Sequence, residues 1–448
     1  MNDSALVTDL YELTMLQAYF DEGMGARAVF ELFVRALPPQ RNFLVAAGLE
    51  QALDYLEQLH FTADELAWLS ASGRFKPAFL DWLRGFRFSG DVDAMGEGTV
   101  FFADEPILRV EAPIGEAQFV ESRLLNLLNF STLIATKAAR CVLAAPGKLL
   151  VDFGLRRAHG AEAGVLAARA SYLAGFAGSA TVLAGQRFGV PVFGTMAHAY
   201  IEAHELETEA FMQFSASQPS RVTLLIDTYD TEAAAARVVA LAPALQARGA
   251  QLVAVRIDSG DLAAHAHRVR AIFDGGGLAE VGIFASGNLD EHRIAALLAA
   301  GAPIDGFGIG TQLTTSADAP ALDSAYKLQS YAGVPRRKRS EGKATWPGAK
   351  QVYRRFAADG SLLCDHVTLL GEPPPAGCVA LLQPVLRGGA RLAPSPTLDA
   401  LRGHAADNLA RLPDALRRLE AAAAGESYPV HISPALQALA AEVDRRPH

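Results

Sequence analysis

The sequence predicts an α/β protein: an incomplete or irregular parallel barrel, with an α+β domain N-terminal to it and packed against it. Three observations predict this. The 448 residues exceed what one simple core uses, so the chain holds two domains or one large barrel with additions. From about residue 149, short apolar runs alternate with Ala-rich helical stretches, the rhythm of a parallel sheet covered by helices. Each run ends in polar residues or glycines, and polar groups gathered at the C-terminal ends of parallel strands are the layout of a barrel active site. A doubly wound sheet also binds ligands there. Sequential helix-then-strand units favour the barrel.

The elements follow in order. "TDLYELTMLQAYF" repeats Leu10, Leu13, Leu16 and Phe20 near the helical period, with Thr8 or Asp9 to cap it and Glu12 placed to reach back to Asp9. "RAVFELFVR" alternates like a strand, and "LVAAGLEQALDYLEQL" and "TADELAWLS" read as helices. "GEAQFVESRLLNLLNFSTLIATKAARCVLAA" reads as one broken amphipathic helix. The strand-like runs after it are "LLVDFGLRR", "VPVFGTMAH", "RVTLLIDTYD", "QLVAVRIDSGD", "VGIFASGNLD" and "IDGFGIGTQLT". Beyond residue 330 the pattern loosens. Residues 336–355 hold eight Lys or Arg against one Glu, suited either to phosphate contacts or to a solvated loop. "GEPPPAG" is a turn or linker, "ADNLARLPDALRRLEAAAAG" a helical tail, and "SPALQALAAEVDRR" a last helix capped by Ser433. The expected domains are 1–130 (α+β), 131–325 (barrel) and 326–448, an extension that partly completes the first.

Composition narrows the classes of function. Half the residues are hydrophobic and one fifth charged, an ordinary globular balance. A formal charge of −9 argues against a nucleic-acid binder, which shows a basic face. Cys141, Cys364 and Cys378 match no zinc, redox or disulfide pattern and suit a reducing, cytoplasmic setting. The N-terminus shows no leader pattern, and no apolar stretch reaches the roughly 18 to 20 residues that span a bilayer, so no membrane partner is expected.

The strand ends carry the chemistry. In "VFGTMAHAYIEA" His198 follows an apolar approach and Thr195; alone, it reads as readily as a packing or capping group. "DGFGIGT" offers Gly306, Gly308, Gly310 and Thr311, where backbone N–H groups can approach an anion, or simply a tight turn. "VRIDSGDL" sets Arg256 beside Asp258, Ser259 and Asp261, able to hold sugar hydroxyls and a Mg²⁺-bound phosphate, or else to form an ion pair and a helix cap. In "LIDTYD" Asp227 ends a buried run, costly unless used. "DFGLRR" supplies Phe153 and Arg156, a cation suited to a carboxylate or phosphate.

Together these segments resemble the nicotinate phosphoribosyltransferase family. The motifs are "TDLYELTM", "DFGLRRAHG", "GTMAHAYI", "LIDTYDT", "VRIDSGDL", "SGNLDE" and "DGFGIGTQL", in order along most of the chain, with little carried by the last 80 or so residues. The resemblance implies a type II phosphoribosyltransferase-like barrel. It also implies a reaction in NAD biosynthesis (salvage): nicotinate and 5-phosphoribosyl 1-diphosphate (PRPP) give nicotinate mononucleotide and diphosphate. By the bond made this is a glycosyltransferase, ligase-like in coupling to ATP hydrolysis through phosphohistidine at His198. Asp227 and Arg256 are implied at the reacting centre. Tyr11 and Phe153 are implied around the pyridine ring, Arg156 at its carboxylate or a nearby phosphate, and Thr195 as another nicotinate contact. Asp258 is implied at ribose, and Gly308, Gly310 and Thr311 as a phosphate cradle. Mg²⁺, ATP as co-substrate, a cytoplasmic location and a homodimer with the site at the subunit interface complete the expectation; the metal ligands stay open. The rivals are a nicotinamide or quinolinate phosphoribosyltransferase and a non-catalytic phosphosugar-binding protein.

Overall fold

The computed structural model describes residues 4–340, 343–423 and 425–446. Two compact units divide the chain: residues up to Thr136 together with those from Ala319 onward, and Lys137–Asp318.

The unit Lys137–Asp318 is built on a parallel sheet. Its strands are β1 (Leu149–Asp152), β2 (Gly178–Ser179), β3 (Val222–Leu225), β4 (Leu252–Ile257), β5 (Gly282–Ala285) and β6 (Gly306–Ile309). Their order is β2-β1-β6-β5-β4-β3, every neighbouring pair parallel. Helices Ala161–Leu173, Thr231–Ala247, Leu262–Gly275 and Glu291–Ala299 fill the connections. Asp230, Asp261 and Asp290 each cap the helix that follows, accepting from the backbone N–H three residues on. Three strand-to-helix turns are thereby fixed by local hydrogen bonds. The sheet is a half-barrel, as the alternation predicted.

One expected strand is absent. "VPVFGTMAH" makes only a single parallel bridge, Val192 to Ser179. Pro191 cannot donate to a ladder and the run is too short to pair further. The strand in that place is Gly178–Ser179, which carries no apolar signal. A β-carbon on Gly178 would lie 2.1 Å from the Pro191 carbonyl oxygen, so only glycine admits the approach. Between this run and β3 the link is a side chain: the Thr195 hydroxyl donates to the Thr223 carbonyl.

The other unit is antiparallel. Strand Arg27–Val34 pairs on one side with Pro106–Pro113 and on the other with Ser324–Tyr331, which returns from beyond the half-barrel. Buried ion pairs tie later strands in: Lys350 Nζ lies 2.7 Å from Glu31 Oε2, and Arg354 holds Asp365 through two nitrogens at 2.9 and 2.5 Å.

Helix Leu10–Glu22 forms without the expected capping box. Asp9 accepts instead from Ser122 Oγ at 2.8 Å, and Glu12 is buried against Gln118 Nε2 at 3.0 Å. Tertiary donors displaced the local ones. The broken amphipathic stretch is two helices, Ile114–Phe119 and Glu121–Ala144. The second is long and apolar enough to cross a membrane by length and composition, against the expectation that no stretch would be. Most of that window, 72%, is buried inside the protein, and Lys137 and Arg140 on it pair with Glu291. The helical tail is interrupted: Leu398–Ala410 ends before Pro413, Asp414–Arg417 is one turn, and residues 418–423 are not helical; Ala424 lies outside the described residues. Pro413 supplies the break. The last helix, Pro434–Arg445, is capped by Ser433.

Candidate active site

The C-terminal ends of the parallel strands open on a concavity of about 540 Å³. Phe153, Arg156, Thr195, His198, Arg256 and Asp258 all line it. These six come from three separate segments of sequence.

Arg256 points out of β4 and is held on three sides. Its Nη2 lies 2.6 Å from Asp258 Oδ1 and its Nε donates to Ser286 Oγ at 2.8 Å, while the Ser286 hydroxyl donates to the same Asp258 oxygen. The guanidinium sits 5.3 Å from the centre of the Phe153 ring, within range of a cation–π contact. Arg256 is therefore neutralised and locked. Arg156, on the exposed turn Leu155–Arg157, makes no hydrogen bond or ion pair among the described residues. It is a cation without a protein partner at the pocket wall.

His198 opens the short helix His198–Glu202. Its Nδ1 lies 3.0 Å from Thr228 Oγ1, and its Nε2 lies 3.9 Å from Asp258 Oδ2. Asp227 follows β3 and braces the next strand end, its Oδ2 accepting from Asp258 N at 2.8 Å and Ser259 Oγ at 2.6 Å. Its Oδ1 is buried without a hydrogen-bond partner. Asp227 is not among the residues lining the concavity, and an unsatisfied buried carboxylate oxygen is costly.

The glycines divide. Gly308 lies inside β6, buried, with the Phe153 ring pressed over it, and Gly310 faces the Phe153 carbonyl. Thr311 begins the four-residue helix Thr311–Thr314 and is exposed. Tyr11 is half exposed in the first turn of helix Leu10–Glu22, in the other compact unit. Burial, with Glu121 and Glu12 nearby, pushes its hydroxyl pKa up. Asp261 caps a helix and lies outside the pocket wall, so that part of "VRIDSGDL" is structural.

The basic stretch also divides. Arg337 and Arg339 pair with Asp444, Lys350 with Glu31 and Arg354 with Asp365, whereas Arg336 and Lys338 line a separate concavity with Lys327. Residues 341–342 lie outside the described residues. Sequence reasoning missed Thr228 and Ser179 as partners of site residues. Thr228 stood next to Asp227 in "LIDTYD", but nothing in the sequence aimed it at His198.

A parallel half-barrel with a histidine, paired carboxylates and two arginines at its strand ends belongs to the α/β-barrel enzymes that bind ligands at the C-terminal face. Comparison with known proteins narrows this. Residues 6–129, 149–350 and 375–440 match the N-terminal domain, the family proper and the C-terminal domain of nicotinate phosphoribosyltransferase (NAPRTase). The chain is 48% identical over 434 residues to nicotinate phosphoribosyltransferase pncB2 of Mycobacterium tuberculosis, covering 96% of this chain and 91% of that protein. It is 40% identical over 358 residues to the nicotinate phosphoribosyltransferase of Bacillus subtilis, covering 78% of this chain and 73% of that one. The crystal structure of human nicotinic acid phosphoribosyltransferase superposes with a TM-score of 0.86 at 31% identity, covering 97% of this chain and 99% of the human chain. The chain belongs to the nicotinate phosphoribosyltransferase family. The last 80 residues, which carried little of the resemblance, fall largely within the matched C-terminal domain.

Proposed function

We propose that this protein condenses nicotinate with PRPP to nicotinate mononucleotide and diphosphate, in NAD biosynthesis, and couples the step to ATP hydrolysis through phosphorylated His198. The observation that carries the choice of base is the contrast between the two arginines. Arg256 already holds Asp258, so Arg156 is the cation left to take a carboxylate. A guanidinium binds a carboxylate bidentately, and a neutral amide gains far less from it.

The chemistry suits the remaining groups. As the bond from C1 to diphosphate breaks, C1 gains positive character and diphosphate gains negative charge. Asp227 and Asp258 stabilise the first, and donors at Gly310 and Thr311 the second; Gly308, expected in that cradle, is instead taken up by the strand ladder and the Phe153 ring. Phe153 presents an aromatic face to the pyridine, with Arg256 fixed on the ring; Thr195 adds a polar contact. Tyr11 closes the pyridine from the partner subunit of a homodimer. In the ATP half-reaction a ring nitrogen of His198 takes the γ-phosphoryl group and ADP leaves. Imidazole is a competent nucleophile near neutral pH, and the added charge of about −2 strengthens Mg–PRPP binding. Arg336 and Lys338 are candidates for phosphate contacts.

A magnesium ion fits this donor set. Among the described residues no three ligating side chains form a metal centre by themselves, and Mg²⁺ commonly takes one or two carboxylates plus substrate phosphates. Asp227, through its unpartnered Oδ1, and Asp258 would hold it with PRPP. The charge that it would neutralise there is that of the diphosphate. A cytoplasmic location belongs to the same proposal; all three cysteines are free.

The test supplies PRPP and Mg²⁺ with nicotinate or nicotinamide, with and without ATP, and follows mononucleotide and ADP by chromatography. Product from nicotinate, raised by ATP with matched ADP, is expected, and His198→Asn should abolish the ATP stimulation. Product from nicotinamide alone would overturn the choice of base, and ATP stimulation surviving in His198→Asn would overturn the phosphohistidine.

A further inference from the structure

One enclosed acid beside the pocket takes no part in that reaction. Asp152 ends β1 with 1% of its surface exposed. Its Oδ1 accepts from the Gly154 amide at 2.8 Å and its Oδ2 from the Ser179 hydroxyl at 2.6 Å. That hydroxyl in turn accepts from the Thr181 amide at 2.9 Å, and the Asp152 carbonyl accepts from the Ala180 amide at 2.8 Å. A single residue therefore joins its own loop to the loop after β2. The first loop carries Phe153 and Arg156 and the second carries Ala180, all on the pocket wall. The turn has no slack: a β-carbon on Gly154 would lie 2.5 Å from Thr314 Cβ and 2.9 Å from Asp152 Oδ1.

The partners of this carboxylate are all neutral. Ser179 faces it from β2 and the Gly154 amide from its own loop; β6 sets Ile309 in register with it, and the next helix brings Thr314 against Gly154. A buried acid with no cation is an expensive way to hold a fold. Burial raises the carboxyl to about 6, so at neutral pH it is ionised and both oxygens accept. Asparagine, with one acceptor and one donor, cannot receive both bonds.

We propose that Asp152 is a positioning residue for the base pocket: by accepting on both oxygens it fixes the Phe153–Arg156 loop against the Ser179–Thr181 loop, so that the aromatic face and the guanidinium meet nicotinate at a set spacing. This rests on the reading that the pocket takes nicotinate. Asp152 touches no reacting atom, so its loss acts on the binding of the base. The bonds are intact above about pH 6 and are lost as the carboxylate takes up a proton below it. The titratable groups on the pocket wall, His198 and Asp258, and Asp227 behind them, stand in other segments and remain in every variant.

The test is steady-state kinetics of the full chain with nicotinate and PRPP each varied, across about pH 5 to 8, for wild type, Asp152→Asn and Ser179→Ala. Asp152→Asn should raise KM for nicotinate about tenfold, the size of one lost hydrogen bond to a charged group, with kcat and KM for PRPP within about twofold. Its acid limb in kcat/KM for nicotinate should disappear. Ser179→Ala keeps the acid but removes a donor to it, so that limb should move to higher pH. Asp152→Asn with an unchanged KM for nicotinate overturns the proposal, as does a parallel change in kcat and both KM values, the signature of a packing defect. Should Asp152→Asn fail to fold, an unmoved limb in Ser179→Ala overturns it. A wild type inactive on nicotinate overturns the base reading and this proposal with it; an active wild type with unmoved variants overturns this one alone.

Discussion

Adding one methyl group at Gly308 should move the wall of the base pocket. Gly308 sits mid-strand in β6, paired in register with Val151 of β1. A β-carbon there would lie 2.5 Å from two carbons of the Phe153 ring and 3.0 Å from Phe284 Cε1. Carbon atoms rest about 3.5 to 4.0 Å apart, so the Phe153 ring must shift by about 1 Å. The strand cannot retreat without losing its ladder to β1, so the ring yields, and its motion disturbs Arg256, 5.3 Å from its centre. Overpacking of this kind costs about 1 to 3 kcal/mol. Gly308→Ala should therefore lower stability by about 1 to 2 kcal/mol and raise KM for nicotinate about five- to tenfold. Denaturant melts and steady-state kinetics read both. Trimming the ring in Gly308→Ala/Phe153→Leu should restore part of the stability, a coupling that a double-mutant cycle isolates, but not KM for nicotinate, which loses its aromatic face. Unchanged stability and KM in Gly308→Ala would refute the steric argument. A rise in KM for PRPP alone would return Gly308 to the phosphate cradle.

Other outcomes follow from the same geometry. Arg156→Gln should raise KM for nicotinate about ten- to hundredfold, because a charged hydrogen bond contributes about 1.5 to 3 kcal/mol, and should leave any trace activity on nicotinamide unchanged; competition assays with both bases read the difference. Asp227→Asn should shift the Mg²⁺ dependence of the rate to higher concentrations, measured by titrating Mg²⁺ at fixed PRPP; an unmoved titration would exclude Asp227 as a ligand. Lys137 Nζ lies 2.6 Å from Glu291 and 2.7 Å from Asp318, buried in the core. Lys137→Met leaves Glu291 to Arg140 alone in that core, so stability should fall by about 1 to 3 kcal/mol, less than the loss of an only partner. Lys137 and Arg140 also hold the Glu291 carboxyl below its usual range, against burial, which alone would raise it. Its contribution to stability is present above the ordinary carboxylate pKa and lost as pH falls through the lowered one, so acid unfolding should begin at higher pH in Lys137→Met than in wild type.

The sequence by itself determined the class of fold and the identity of the strand-end residues. Alternation of apolar runs with Ala-rich helices marks parallel β/α units because both faces of the sheet are buried, and polar residues at the run ends then fall on one side of it. His198, Arg256, Asp258, Phe153, Arg156 and Thr195 were legible for that reason, and they share one pocket. Local rules failed where a distant partner was stronger. Glu12 went to Gln118 rather than to a capping box, and Gly178–Ser179 formed a strand with no apolar signal because only glycine fits beside Pro191. Tertiary structure alone decided which arginine is free. In sequence Arg256 could face either a ligand or its neighbour Asp258; in the fold Ser286 and Asp258 close on it from two different strand ends, and Arg156 stays unpaired among the described residues. It also decided that Gly308 lies under an aromatic ring and that Asp152, one polar residue among many at the run ends, is enclosed and bonded across two loops. The pairings of Arg256 with Ser286, Asp152 with Ser179 and Gly308 with Phe153 join residues tens of positions apart or more; they are set by the register of parallel strands and by what burial leaves within hydrogen-bond reach, quantities that exist once the chain has closed on itself.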